Sequence, residues 1–148
     1  MTASAPEIRG IEQRLTAYQR LGAKRAGLCA QAVMNALNAP RQGLHSAADV
    51  WRLVPRAARR KGTAPRGAIV YWIGGKDGHG HTCFALGDHF EMSVDTRRDA
   101  PGTSAVVPFE WFDQNWPNLT YVGWSWFWGA IDTRPASQPP VDVPLPGV

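Results

Sequence analysis

The segment GHGHTCFALGDHFEMSVD opens with two of the chain's four histidines and one of its two cysteines within six positions. Apolar and polar residues alternate along it, which is typical of two half-buried strands. If the apolar residues are to share one face, the loop between the strands must have an odd length, as residues 87–89 would provide. This register pairs Phe84 with Met92 and places His81 opposite Asp95.

A histidine held by a carboxylate is half of a nucleophilic site, because the carboxylate orients the ring and stabilises the imidazolium. Cys29 is the candidate nucleophile. It stands at the predicted start of a helix, where the dipole and unpaired N–H groups lower the pKa of a thiol and can hold an oxyanion. Lys24 and Arg25 would add to this effect. The candidate catalytic residues are therefore Cys29, His81 and Asp95.

Two other interpretations of these residues remain open. Free cysteine is among the most buried residue types, so Cys29 could belong to the core. His79, His81 and Cys83 form an H-x-H-x-C array that could ligate zinc. The sequence has no second cluster to complete a tetrahedral set, which favours a site without metal or other cofactor and places His79 on a loop beside the cleft. We expect both thiols to be reduced, since no export signal accompanies them.

Three predicted helices precede the strands. The first covers PEIRGIEQRLTAYQRLGAK, whose apolar residues recur at helical spacing, and the second begins near Cys29 and carries one apolar stripe. The third has Ser46 as its N-cap and should end or kink at Pro55. After the breaker TAPRG, the run AIVYWI is typical of a buried strand. The chain therefore changes from helix to sheet at this point.

Composition indicates one globular domain. With 148 residues, of which 44% are hydrophobic and 19% charged, the chain can bury a single core. We expect a catalytic domain over 1–132 and a proline-rich tail or linker over 133–148. No apolar run is long enough for a membrane span, and the start of the chain lacks a secretory signal, so no membrane insertion is expected.

Four segments together resemble a known superfamily. GLCAQAVMNAL, APRGAIVYW, GHGHTCFALGDHFEMSVD and YVGWSW follow, in this order, the layout of the papain-like NlpC/P60 and CHAP peptidoglycan hydrolases, over roughly residues 25 to 130. The resemblance implies an α+β fold with N-terminal helices packed on an antiparallel sheet, Cys29 as nucleophile and His81 as general base. The usual family spacing places the third residue at Ser93, whereas the register favours Asp95. Since serine orients a ring poorly, we prefer Asp95.

The resemblance also implies a function, and is strongest to the compact versions in actinobacterial phage endolysins. The substrate would be the peptide part of bacterial peptidoglycan, cleaved at an amide bond without a cofactor. The enzyme would be a monomer in the host cytoplasm that acts on the wall after release, with a wall-binding domain possible after the linker. Nucleic acid is not an expected partner of the enzyme.

A non-catalytic binding module is the competing interpretation. The formal charge is +4, with a basic run at Arg52, Arg56, Arg59, Arg60, Lys61 and Arg66. This run and the seven tryptophans could hold wall glycan or nucleic acid, although a solvated helix face and core packing are the simpler expectations. In WSWFW, Trp124, Trp126 and Trp128 would share one strand face. Candidates for substrate contact are His79, Ser93, Trp72 and Trp126.

Overall fold

The computed structural model describes residues 7–23, 28–41, 43, 46–97, 100 and 102–136. Lys24, Arg25 and the tail beyond residue 136 lie outside the described residues, so the predictions made for them stay predictions. The helices are α1 (Ile11–Leu21), α2 (Cys29–Leu37), α3 (Ala47–Leu53) and α4 (Glu110–Asn115). The strands are β1 (Ile69–Gly74), β2 (His81–Gly87), β3 (Phe90–Val94), β4 (Ser104–Pro108), β5 (Leu119–Ser125), β6 (Phe127–Trp128) and β7 (Ile131–Asp132).

The start of α2 and both ends of α3 lie where the sequence predicted them. Helix α2 begins at Cys29, as predicted, and its predicted apolar stripe is buried throughout. The Ser46 hydroxyl caps α3 by accepting from the Asp49 amide at 3.2 Å. Helix α3 ends at Leu53 because the residue before Pro55 is forced into extended backbone. These ends leave Cys29 in the first turn of a helix.

The sheet has the order β4-β3-β2-β1-β5, and its paired strands are antiparallel. Helices α1 to α3 cover one face, where Tyr18, Val33 and Phe84 lie in the larger core. The other face carries a smaller aromatic core that includes Trp72 and Phe112. In β1 both sets of alternating residues are apolar, so the central part of the sheet is buried on its two faces. The predicted α+β architecture, with N-terminal helices packed on an antiparallel sheet, is confirmed.

The hairpin between β2 and β3 has the predicted register but a different loop. Phe84 pairs with Met92, as expected. The turn consists of two residues, Asp88 and His89, which both have positive φ, the conformation that a type I′ turn requires. A bulge between Ala85 and Gly87 supplies the extra residue that restores the parity of the pairing.

A buried arginine joins the two ends of the described domain. Arg14 of α1 is fully buried and donates to the carbonyl oxygens of Gly67 at 3.1 Å and Thr133 at 2.6 Å. Burial lowers the pKa of Arg14 to about 10, which leaves the guanidinium charged near neutral pH. Its hydrogen bonds therefore tie α1 to the turn before β1 and to the chain after β7.

The tryptophan-rich segment does not form the single strand that the alternation predicted. Strand β5 ends at Ser125, whose hydroxyl accepts from the Phe127 amide at 3.0 Å. The chain bends there, so Trp126 packs in the smaller core and Trp128 in the larger one. Trp126 is 6% exposed and Trp72 is 1% exposed, so neither of these predicted substrate contacts presents an open ring surface.

Part of the basic run is structural. Arg59 donates to the carbonyl oxygens of Trp51 and Val54 at 2.9 and 3.1 Å, and its guanidinium lies 4.6 Å from the centroid of the Trp51 ring. Arg60 exchanges two backbone hydrogen bonds with Trp124 of β5. These contacts hold the segment after α3 against the sheet. None of the helices in the described part of the chain is long and apolar enough to cross a membrane.

Candidate functional site

A cavity of about 450 Å³ opens at the end of the sheet where β2 begins. We call it the Cys29 pocket. It brings together the three predicted catalytic residues and His79, which come from three separate segments of the sequence. Its lining residues are Cys29, Ala30, Ser46, Ala47, Gly74, Gly75, Lys76, Asp77, His79, Gly80, His81, Asp95, Asn115, Trp116, Pro117, Asn118 and Leu119.

The Cys29 thiol lies in the first turn of α2 and is 8% exposed. Burial raises the pKa of the thiol to about 11, backbone groups of Thr82 and Ala30 oppose that rise by hydrogen bonding, and the charge of Asp95 adds to it. Burial therefore acts against the lowering of this pKa that the helix start predicted. The helix start is present, but the loss of hydration outweighs its dipole, so Cys29 is a neutral thiol at rest.

The His81 ring lies at the first position of β2 among three aromatic rings. Its centroid is 4.9 Å from that of Trp116, 5.6 Å from that of Phe112 and 5.8 Å from that of Trp72. Burial against these rings lowers the pKa of His81 to about 3, so the imidazole is neutral at neutral pH. Gly80 has a φ of +71°, and a side chain there would overlap the Trp72 carbonyl oxygen, which explains the glycine before His81.

Ser93 is the hydrogen-bond partner of His81. The Nε2 atom of His81 lies 2.7 Å from Ser93 Oγ, and this hydroxyl donates to the Val94 carbonyl oxygen at 2.9 Å. A hydroxyl carries one proton, so when Ser93 donates to Val94 it must accept from Nε2–H of His81. The proton then sits on Nε2, which leaves Nδ1 as the basic nitrogen of the neutral ring.

Asp95 does not occupy the position that the register argument assigned to it. Strand β3 ends at Val94, and Asp95 has a φ of +67°, so the backbone leaves the strand direction before a His81–Asp95 pair can form. The His81 ring instead reaches the diagonal neighbour Ser93. Asp95 lines the Cys29 pocket, where its charge acts on the thiol. The predicted pairing of Asp95 with a ring nitrogen of His81 is therefore not the one observed, and Ser93, at the position that the family spacing indicated, lies beside Nε2 instead.

The other members of the H-x-H-x-C array lie in different surroundings. His79 is exposed on the loop before β2, and its carbonyl oxygen accepts from the Ala48 amide at 2.9 Å. Cys83 is fully buried in the smaller core, as a free thiol. Within the described ranges, no group of three or more histidine, cysteine or carboxylate side chains could hold a metal ion. No hydrogen bond joins the Cys29 thiol to His81 in the described part of the chain.

Sequence reasoning missed the wall of the pocket that comes from α4 and the residues after it. Phe112 of α4 and Trp116 contact the His81 ring, and residues 115–119 close one side of the cavity. A six-residue helix has no clear periodicity, and aromatic residues there are equally consistent with core packing. No signal in the sequence alone separates the rings that desolvate His81 from those that only fill the core.

No family model matches the chain, and no curated protein matches it. Among solved structures, the chain is similar to a crystal structure of the P60 domain from an antigen of M. avium subspecies paratuberculosis. The two are 14% identical with a TM-score of 0.49, over 82% of this chain and 94% of that chain. A likeness at this level decides neither family nor activity.

Proposed function

We propose that the chain is a cysteine-dependent hydrolase that cleaves an amide bond in the peptide part of bacterial peptidoglycan. The observation that carries the proposal is that the Cys29 thiol, at a helix start, lines the same cavity as His81. One ring nitrogen of His81 is hydrogen-bonded to Ser93, which leaves the other for proton transfer. The hydrolysis of an amide by a thiol needs both groups and a place for the acyl chain. The sequence resemblance supports peptidoglycan as the substrate.

The reaction divides into acylation and deacylation. In acylation, Nδ1 of His81 takes the thiol proton while the Cys29 sulfur bonds to the carbonyl carbon, and backbone N–H groups at the start of α2 stabilise the oxyanion. The imidazolium then gives that proton to the amide nitrogen as the C–N bond breaks and the amine leaves. In deacylation, His81 takes a proton from water, whose oxygen displaces the sulfur and releases the carboxylic acid. The proton returns to the thiolate, so one water is consumed.

The raised pKa of Cys29 and the lowered pKa of His81 favour proton transfer during attack over a preformed ion pair. In such a mechanism, Ser93 is a positioning residue, because it keeps the proton on Nε2 and leaves Nδ1 free to act. Asp95 supplies negative charge beside the thiol. The proton then leaves the sulfur only when substrate is present, which protects the thiol from oxidation in the free enzyme.

Digestion of purified peptidoglycan followed by mass analysis of the released fragments tests this function. We expect the wild type to release peptides with a new amine and a new carboxyl end, and Cys29→Ala to release none while keeping a wild-type circular dichroism spectrum. Cys83→Ala is the matched control, since it removes the other buried thiol and should retain activity. Digestion by Cys29→Ala, or none by the wild type, would contradict the proposal.

We extend the proposal to an enzyme of the phage endolysin type that works as a monomer after release from the host cytoplasm. The sequence resemblance supports this extension. Co-expression of the chain with a membrane-permeabilising protein in a susceptible bacterium should cause lysis, whereas expression of the chain alone should not. Lysis without permeabilisation would argue against action that depends on release.

The burial of the tryptophans disfavours the competing binding module. Four of the seven are buried, and Trp111, Trp116 and Trp124 are half-buried, so none of the seven is an exposed ring. Arg59 and Arg60 are also engaged within the domain. A binder would therefore have to rely on the remaining surface charge.

A further inference from the structure

A second cavity, of about 290 Å³, lies between the turn after β2 and the start of β5. We call it the Glu91 cavity, and its lining residues are Gly62, Thr63, Ala64, His89, Glu91, Phe109 and Tyr121. Glu91 of β3 pairs with Ala85 of β2, four residues along the strand from His81. At about 3.3 Å per residue, Ala85 lies roughly 13 Å along β2 from His81, which lines the Cys29 pocket.

Glu91 is a buried carboxylate without a partner in the described chain. Its side chain is 3% exposed, forms no hydrogen bond or ion pair to any described residue, and has its Oε2 atom fully out of contact with solvent. A buried charge of this kind is costly unless a cation or several donors compensate it. Although the chain carries a formal charge of +4, none of the described arginines or lysines reaches Glu91.

The polar groups of the cavity wall are already engaged with one another. The Tyr121 hydroxyl donates to the Gly62 carbonyl oxygen at 2.7 Å. The Thr63 hydroxyl lies 3.2 Å from Nδ1 of His89. Among the described residues of the wall, Glu91 therefore offers the strongest hydrogen-bond acceptor that has no donor.

Aromatic rings complete the lining. Phe109 and Tyr121 meet edge to face with their centroids 4.8 Å apart, and Trp72 stacks behind Phe109 at 6.1 Å. The faces of such rings attract organic cations, and a carboxylate beside them adds a charged acceptor. A hard metal ion would instead need several oxygen ligands, and no group of three possible ligands occurs within the described ranges.

We propose that the Glu91 cavity binds a primary alkylammonium group, carried either by a free amine or by a lysine-like side chain of a peptide. The ammonium would donate to the Glu91 carboxylate, and its alkyl stem would lie along Phe109 and Tyr121. A cavity near the lower end of ligand-pocket sizes suits a short chain of this kind. This site does not depend on the hydrolase proposal, since it shares no lining residue with the Cys29 pocket.

Binding should depend on pH through Glu91. Burial raises the pKa of Glu91 to about 7, and the charge of Glu110 adds to the rise. The other titratable groups near Glu91 are His89, Tyr121 and Cys83. Only the ionised carboxylate attracts a cation, so binding should strengthen as the pH rises through 7. A bound ammonium should in turn lower the pKa of Glu91.

Calorimetric titration with n-butylammonium chloride at pH 8 tests the site, with n-butanol as the uncharged ligand of equal length. We expect the wild type to bind the ammonium and not the alcohol, and Glu91→Gln to bind at least about tenfold more weakly, since it removes the charge and keeps the shape. Glu110→Gln is the matched control, because it removes an exposed carboxylate nearby, and it should bind within about twofold of the wild type.

The source of the ammonium group is tested with Nα-acetyl-lysine methylamide. Tighter binding of this compound than of n-butylammonium identifies a peptide side chain as the ligand, and weaker binding identifies a free amine. The unfolding temperature of each variant without n-butylammonium shows whether that variant is folded at the temperature of the titration. A further rise in the unfolding temperature with n-butylammonium present is a second measure of binding. Equal binding by Glu91→Gln and the wild type, or no binding by the wild type, would overturn the proposal.

Discussion

Alkylation of Cys29 tests directly whether the resting site holds a neutral thiol. Burial raises the pKa of this thiol from its usual value of 9.0 to about 11, so at pH 7 about one molecule in ten thousand carries a thiolate. This is about a hundredfold less thiolate than an ordinary cysteine would have at that pH. A more basic thiolate is also more nucleophilic, by about eightfold for two pKa units. We therefore expect Cys29 to react at pH 7 at least about tenfold more slowly than free cysteine.

The assay is the rate of iodoacetamide modification in the Cys83→Ala variant, followed by intact mass from pH 6 to 10. With Cys83 removed, Cys29 is the only thiol that can react. The rate should rise about tenfold per pH unit over this whole range, because the thiolate fraction rises by that factor below the pKa. Unfolding the protein in urea should raise the rate at pH 7, since the thiol regains its hydration.

A rate that reaches a plateau below pH 8 would contradict a raised pKa for Cys29. Such a plateau would mean that Cys29 is already a thiolate at neutral pH, paired with an imidazolium at His81. Burial would then not control the pKa of either residue, and the helix dipole would lower the pKa of Cys29 as predicted.

Further predictions concern positioning, charge and stability. Ser93→Ala should lower turnover about 10- to 100-fold and shift the imidazole ¹⁵N resonances of His81, because the hydrogen bond that selects its tautomer is lost, whereas unchanged resonances would exclude that role. Asp95→Asn should speed alkylation of Cys29 at pH 7, since it removes a charge that raises the thiol pKa, and slower alkylation would show that the carboxylate assists instead. The folded pKa of His81, about 3, lies below its unfolded value of 6.5, so its contribution to stability is complete above pH 6.5 and is lost as the pH falls toward 3. Urea unfolding should show the wild type losing about 1.4 kcal/mol per pH unit relative to His81→Gln in that window. Arg14→Met should cost about 3 kcal/mol in the same assay, because two buried carbonyl groups lose their donor, and a change below about 1 kcal/mol would contradict a structural role for the arginine.

Short-range patterns in the sequence determined which elements form and where several of them begin. The Ser46 cap and the end of α3 before Pro55 depend on residues within one turn of each other, so the sequence contains the whole cause. The alternation of apolar residues likewise determined that Phe84 pairs with Met92. It could not determine the turn, because a two-residue turn with a bulge and a three-residue loop have the same parity.

The protonation of the site and the partner of its histidine depend on contacts between distant parts of the chain. The pKa of His81 depends on Phe112 and Trp116, which arrive from a segment more than thirty residues away in the sequence. The choice of Ser93 over Asp95 depends on where β3 stops, and that point is set by the left-handed turn at Asp95. Desolvation and hydrogen-bond geometry are properties of atoms gathered from several elements, so the residue types alone do not contain them.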